Sequence, residues 1–224
     1  MSGEGSKWTV LPLYLDSVVY PEWHPRAGAI GPVYAFLLES DDYLVLVDSG
    51  IGSPHPVIDQ FYAPTRRDLP TALGQNNGIG IDDISAMILT HLHFDHVGGA
   101  QHFRGTPLYV QHREWESAQQ PSCTIPEFLD FPHANFVLLD GEVELAPGLR
   151  IIPTPGHTPG HQIVAVETPA GRFVIAGQAV ETVSEYTQAL SGEAPATESV
   201  GVIAGLAPIR VLFSHDHANW RLNG

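Results

Sequence analysis

Residues 90–99 read Thr-His-Leu-His-Phe-Asp-His-Val-Gly-Gly, placing three imidazoles and one carboxylate within six consecutive positions. Nothing else in the 224 residues concentrates so much ligand chemistry. The apolar run Ala86-Met87-Ile88-Leu89 just before it is bounded by polar residues and reads as a buried strand. The cluster therefore sits where a strand ends and the chain turns toward Gly98-Gly99, at the kind of rim where an α/β layer binds its ligands. Neutral imidazole and carboxylate are ligands that divalent first-row metals prefer. His91 and His93, two apart on extended backbone, can point the same way, and Asp95 and His96, after a local bend, can serve a second position nearby. The segment reads as a metal site. A purification tag or a run of surface histidines would not be internal, interleaved with Leu92 and Phe94, and flanked by a strand and glycines.

Two further clusters share the logic of an apolar strand that ends in histidine. Thr154-Pro155-Gly156-His157-Thr158-Pro159-Gly160-His161 follows the strand Leu149 to Ile152, and its prolines and glycines fix a rigid loop that holds His157 still. The strand Ile209 to Phe213 delivers Ser214-His215-Asp216-His217. His157 and His215 are thus candidate ligands. His161 and His217 are expected to hydrogen-bond nearby groups instead. His24, His55, His102, His112 and His133 lack this context and read as surface residues. Asp48, ending its own strand, keeps two readings: acceptor for a metal-bound imidazole, or turn-former in Asp48-Ser49-Gly50.

The rest of the chain sets the frame. Trp8 to Tyr20 suggests one or two opening strands, and Pro21 to Pro32, rich in Pro and Gly, a loop. Val33 to Glu39 and Tyr43 to Val47 form a hairpin across Ser40-Asp41-Asp42. Ile51 to Gly80 is interrupted by Pro and Gly, with one or two helical turns at Val57 to Tyr62. His96 to His102 opens a short helix, Pro107 to Val110 is a strand and Arg113 to Gln119 a helix. Cys123 to Asn135 is irregular. Strands then follow at Phe136 to Leu139, Val143 to Leu145, Leu149 to Thr154, Gln162 to Thr168 and Arg172 to Ile175. Gln178 to Glu198, low in apolar residues, reads as a mobile or surface segment. Ser199 to Leu206 reads as a helix capped by Ser199 or Thr197. The expected class is α/β (α+β), with packed sheets flanked by helices in one domain spanning 1–224.

Ten basic against 25 acidic residues give a net charge of −15, and Lys7 is the only lysine. That field argues against nucleic acid or an anionic membrane as partner, and so against a nuclease. Cys123 is the only cysteine, which excludes an intrachain disulfide. Met1 to Lys7 lacks a signal-peptide pattern, and no stretch approaches the ~18 apolar residues of a membrane span. A cytoplasmic location is expected.

His91-x-His93-x-Asp95-His96, then His157, then His215, with Val47-Asp48-Ser49-Gly50 upstream, resembles the metallo-β-lactamase superfamily. Within it, the passages THLHFDHVGG, PLYVQHREWESA and TPGHTPGHQ are most similar to the N-acyl homoserine lactone lactonases. The resemblance implies an αββα sandwich with a two-metal site at one edge. His91, His93 and His157 would bind one metal, and Asp95, His96 and His215 the other. One departure matters. The family places a metal-bridging aspartate after the strand at Arg172 to Ala176, where this chain has Gly177-Gln178. A neutral amide with one good oxygen is a poor bridge, so one metal is expected to be held tightly, or two unequally. Three residues on, where the lactonases carry a substrate-assisting tyrosine, stands Glu181, which could supply the missing carboxylate; Tyr186 lies further along.

The implied activity is a metal-dependent hydrolase that opens a lactone or ester with hydroxide generated on the metal. Asp95 would steer the hydroxide and protonate the leaving alkoxide. The expected cofactor is zinc, one or two ions, with manganese or iron(II) as alternatives. The expected partner is a small acyl or lactone substrate, with a homodimer as the further association considered. The competing readings are a metal-dependent lyase or cyclase of a biosynthetic pathway, and a catalytically silent metal-binding module.

Overall fold

The computed structural model describes residues 8–76, 78–120 and 124–222, so Met1 to Lys7 and Cys123 lie outside the described residues. The chain opens with β1 (Thr9–Val19), β2 (Ile30–Glu39) and β3 (Leu44–Val47), an antiparallel run. There follow α1 (Pro56–Tyr62), β4 (Thr65–Arg66), α2 (Leu69–Gly74), β5 (Ala86–Ile88), α3 (Phe94–Val97), β6 (Leu108–Gln111), α4 (His112–Ala118) and β7 (Phe136–Leu139). The second half runs β8 (Val143–Ala146), β9 (Leu149–Pro153), β10 (Gln162–Thr168), β11 (Gly171–Ile175), α5 (Val183–Ser191), α6 (Glu198–Gly205), β12 (Arg210–Leu212) and β13 (Trp220–Arg221). The two sheets have the orders β4-β1-β2-β3-β5-β6-β7 and β13-β12-β11-β10-β9-β8. β3, β5, β6 and β7 run parallel, as do β11 and β12.

Period-two alternation explains the layering. In β2, Phe36 and Leu38 join Val45, Val47 and Ile88 against Ile151, Val164, Val166 and Ile175 of the second sheet. Their neighbours Ala35 and Leu37 face outward into a second cluster, where Ile58 of α1, Leu69 and Leu73 of α2 and Ala118 of α4 pack. On the far face of the second sheet, Ile163, Ala165 and Val174 meet Tyr186 of α5 and Val200 and Ile203 of α6. The result is a helix–sheet–sheet–helix sandwich, as the family resemblance implies.

Three expectations are corrected. The Pro21 to Pro32 stretch is a loop only to Ala29, because β2 begins at Ile30. β3 pairs β2 only over Phe36 to Glu39, so the side of residue 32 away from β1 has no ladder to lose, and a proline is tolerated there. On that side the Tyr34 N–H donates to the Ser214 carbonyl and the Pro32 carbonyl faces His215. Second, Gln178 to Glu198 contains a helix. Thr182 caps α5 by accepting from the Glu185 N–H, the Glu185 carboxylate accepts from the Glu181 N–H, and Gly192 closes the end in a left-handed conformation. Tyr186 supplies the buried contact that a count of apolar residues undervalues. Third, the helix expected at His96 to His102 begins earlier, at Phe94, and gives way to a separate 3₁₀ turn at Ala100–His102.

Asp16, buried beside a bulge in β1, accepts hydrogen bonds from the Ile51 N–H (2.7 Å) and the Arg67 N–H (3.2 Å). Burial nevertheless pushes its carboxyl up to about 6 from an ordinary 3.8. A proton held more tightly in the folded chain stabilises below the ordinary value, and this contribution is lost as pH rises through about 6. About two pKa units amount to about 3 kcal/mol. In urea titrations with chelator present, the wild type is expected to lose up to that much relative to Asp16→Asn between pH 4 and 7. A pH-independent difference between the two would contradict it.

Candidate metal centre

Five strands deliver the site from their C-terminal ends: Asp48 follows β3, His91 follows β5, His157 follows β9, Gln178 follows β11 and His215 follows β12. Two ligand sets result, His91/His93/His157 and Asp95/His96/His215, and within each the ligand atoms lie within 4.8 Å of one another. In the first, His93 Nδ1 is 3.1 Å from His91 Nε2 and 3.0 Å from His157 Nε2. In the second, His215 Nε2 is 3.4 Å from His96 Nε2 and 3.5 Å from Asp95 Oδ2. The sets adjoin, with the His91 and His96 rings 4.0 Å apart. Because α3 starts directly after His93, Asp95 and His96 lie within its single turn, which directs them to the second set instead of the first. Gly98 and Gly99 let that turn press against the 49–52 loop, since a Cβ at either would strike the Ile51 or Ser49 carbonyl oxygen.

Outer hydrogen bonds fix which ring nitrogen faces inward. His215 Nδ1 donates to the Pro32 carbonyl (2.8 Å), which leaves Nε2 as a lone pair. His96 Nδ1 faces Asp48 Oδ2 at 2.7 Å, turning its Nε2 inward, where the Gln178 Oε1 stands 3.1 Å away. With Asp95 Oδ2, and with His96 in its neutral form, four acceptor atoms face one another. Facing lone pairs repel, and a cation among them removes the repulsion. Tetrahedral zinc with Zn–N of 2.0–2.1 Å sets its nitrogens about 3.3 Å apart. The observed nitrogen separations straddle that figure, so the donor sets fit such an ion.

The electrostatics agree. Burial lowers the pKa of His91 and His161 well below the ordinary imidazole value, that of His157 to about 3, and that of His93 and His215 below theirs. Neutral rings offer lone pairs. His96 goes the other way: burial opposes its charge, but the Asp48 and Asp95 carboxylates outweigh it and raise its pKa above the ordinary imidazole value, so a metal must compete with a proton for this ring. Burial also opposes ionisation of Asp95, and His96, His215 and His93 overcome it, leaving a carboxylate.

Asp48 adopts a left-handed φ of 60° and accepts from the Thr90 N–H (2.7 Å) and hydroxyl (2.8 Å) besides facing His96. Of its two readings, the structure shows the imidazole partner. His161 belongs to neither ligand set; its Nε2 accepts from the Gln178 N–H (3.0 Å) and its Nδ1 faces the Thr154 hydroxyl (3.0 Å). His217 lies against the Tyr34 hydroxyl. Glu181 is outside both sets as well, with its carboxylate 2.6 Å from the Arg26 guanidinium. Tyr186 is 1% exposed and packs on Phe213 and Trp220, away from the ligands. Burial raises the Tyr20 phenol far above its ordinary value, Arg26 opposes this, and Glu181 and Asp95 reinforce it.

Sequence reasoning missed Glu114. Buried in α4, it accepts from the Leu92 N–H (2.9 Å) and the Gly160 N–H (3.1 Å), tying the His91–His96 segment to the loop that carries His157. A Cβ at Gly160 would lie 2.1 Å from the Glu114 nitrogen, so that glycine was the available signal. Glu114→Ala strands two buried donors and is expected to cost about 2–4 kcal/mol. The loosened loop is expected to weaken metal affinity about 10–100-fold. Urea unfolding and chelator competition measure the two; Glu114→Gln, which keeps one acceptor, is expected to fall between.

Residues 28–223 match the sequence model of the metallo-beta-lactamase superfamily. The chain belongs to that superfamily. It is 33% identical over 150 residues to an N-acyl homoserine lactonase of a Bacillus species, covering 61% of this chain and 59% of that protein. The chain thus spans less than two thirds of the length of that relative. A solved quorum-quenching N-acyl homoserine lactone hydrolase superposes with a TM-score of 0.73 at 27% identity, covering 97% of this chain and 95% of the other. A second, with the product N-hexanoyl-L-homoserine at its catalytic metal centre, gives 0.72 at 25% identity, covering 95% and 94%. Among the described residues no helix is long and apolar enough to cross a membrane.

Proposed function

We propose that this superfamily member is a metal-dependent hydrolase that opens a lactone of the N-acyl homoserine lactone kind, or cleaves a related ester. The observation that carries the reading is the pair of adjoining ligand sets, each of which brings three ligand atoms within 4.8 Å of one another. The lactonase relatives and neighbours support the substrate class.

In this reading His91, His93 and His157 hold one zinc ion, and Asp95, His96 and His215 the other, with Gln178 beside His96 and manganese or iron(II) as substitutes. Bound there, the ions supply Lewis acidity and a water acidified to a pKa of roughly 7. Asp95, ionised and flanked by His96 and His215, orients the attacking oxygen by accepting its hydrogen and returns a proton to the departing alkoxide. Asp48 and the Pro32 carbonyl keep the rings of His96 and His215 aimed, so turnover needs no reorientation of ligands. A cavity of about 160 Å³ lined by Leu92, His93, Ala118, His157 and Pro159 adjoins the first set. The acidic surface suits a small uncharged substrate better than nucleic acid. Residues 1–224 act as one domain in the cytoplasm, as monomer or homodimer.

The test is turnover by the zinc-loaded chain of N-hexanoyl homoserine lactone, simple γ-lactones and thioesters. Ring opening that stops on chelation and returns with zinc is expected. A metal-replete chain that opens no lactone and cleaves no ester would refute the reading.

A further inference from the structure

Three side chains outside both ligand sets meet beside Gly31-Pro32, the segment whose Pro32 carbonyl holds His215, and near enough to Asp95 for its carboxylate to act on the Tyr20 phenol. Tyr20 leaves β1, Arg26 lies in the loop before β2, and Glu181 stands three residues beyond Gln178. One guanidinium nitrogen of Arg26 lies against Glu181 and also donates to the Tyr20 hydroxyl oxygen, while the guanidinium carbon sits 4.3 Å from the Tyr20 ring centre. The loop is braced: the Tyr20 N–H donates to the Ala29 carbonyl, the Gly28 N–H to the Tyr20 carbonyl, and the Arg26 N–H to His24 Nδ1. Tyr20 lies over Gly31, where any Cβ would strike its ring and hydroxyl. The next residue is Pro32, whose carbonyl aims His215.

Two donors in this cluster are unspent. The Tyr20 oxygen accepts from Arg26, but its own O–H finds no acceptor among the described residues, and the residue as a whole is 7% exposed. The Arg26 Nε–H is buried and likewise without an acceptor. A buried donor left as the Arg26 Nε–H is costs about 1–3 kcal/mol. Two together, beside a site that handles oxygen-rich molecules, mark the place of an absent oxygen acceptor. Glu181 meets only one nitrogen of a guanidinium that offers five N–H donors.

We propose that Tyr20 and Arg26 jointly bind a substrate oxygen, carbonyl or carboxylate, presented beside the metal centre, with Glu181 as the positioning residue that holds the guanidinium. This rests on the hydrolase reading for the identity of the substrate. Both donors give hydrogen bonds and surrender no proton. Paired with Glu181, Arg26 carries little uncompensated charge, so a neutral carbonyl is accommodated and a free carboxylate is held less strongly than by a bare cation.

The test is calorimetric titration of the zinc-loaded full chain with N-hexanoyl-homoserine and with its carboxamide. At unchanged zinc content, Tyr20→Phe and Arg26→Ala are each expected to weaken binding at least about tenfold. Weakening of both probes identifies a carbonyl as the bound group, and weakening of the acid alone a carboxylate. Glu181→Gln, which leaves the fold's buried contacts in place, is expected to strengthen binding of the acid about tenfold and to change the amide by less than about twofold. Unaltered affinities in both Tyr20→Phe and Arg26→Ala, or no binding of either probe by the wild type, would overturn the proposal. A wild type that binds the probes through Tyr20 and Arg26 yet opens no lactone would instead refute only the hydrolase reading.

Discussion

In the proposed hydrolase, alanine at position 93 is expected to lower turnover of a lactone or ester by at least about a thousandfold, equivalent to roughly 4 kcal/mol of transition-state stabilisation. His93 Nδ1 lies between His91 Nε2 and His157 Nε2, within 3.1 Å of both, so it is the shared member of the first set. Its removal leaves two imidazoles on segments held together by Glu114, and two ligands retain zinc far less well than three. The fall in kcat/KM should therefore accompany the loss of one zinc equivalent on dialysis. Since His93 is only half-buried, the unfolding free energy of the chelated protein should change little. His112→Ala, in an exposed side chain outside both sets, is the control and should leave turnover and zinc content unaltered. Activity of His93→Ala within tenfold of wild type would show that the first ligand set does not hold a catalytic ion.

The contrast between these two histidines shows what the sequence could reveal. His91, His93, His157 and His215 are legible because each follows a short apolar run, and a run of that kind can only be a strand with an end at the sheet rim. His112 also follows a strand, β6, but it opens α4 with an exposed side chain that faces only the exposed Glu116 and Asp140 carboxylates, so a strand end alone does not make a ligand. Glu114, two residues on, was not legible. Its role depends on the Gly160 N–H, 46 residues away, and only the packing of α4 on that loop brings them together. Gln162 is similar: its side-chain amide donates to the Leu89 and Tyr109 carbonyls, joining the ends of β5 and β6 to the second sheet through contacts without local signature. Helix α5 escaped notice for a different reason. Its stability comes from the caps at Thr182 and Gly192 and from one large buried ring, whereas a count of apolar residues weighs Tyr186 no more than an alanine.

In the proposed two-metal centre, Gln178→Asp is expected to tighten the weaker metal equivalent by about a hundredfold and to bring the two equivalents toward equal retention. The wild-type amide oxygen stands 3.1 Å from His96 Nε2 and is neutral, so it offers the second set a dipole where a carboxylate would offer a charge. Near 4 Å, at an effective dielectric of about 20, one added negative charge against a unit positive charge gains about 4 kcal/mol. Confining that carboxylate beside Asp95 and Asp48 returns part of the gain, and about 3 kcal/mol corresponds to the hundredfold expected. The backbone is ready for the change, because the Gln178 N–H is fixed by His161 and Gly177 already holds φ at 54°. Competition against a chelator of known affinity, read for each equivalent in turn, supplies the measurement. If the wild type already retains two equivalents with equal affinity, and aspartate leaves both unchanged, then the amide costs the site nothing and the second ion is held by Asp95, His96 and His215 alone.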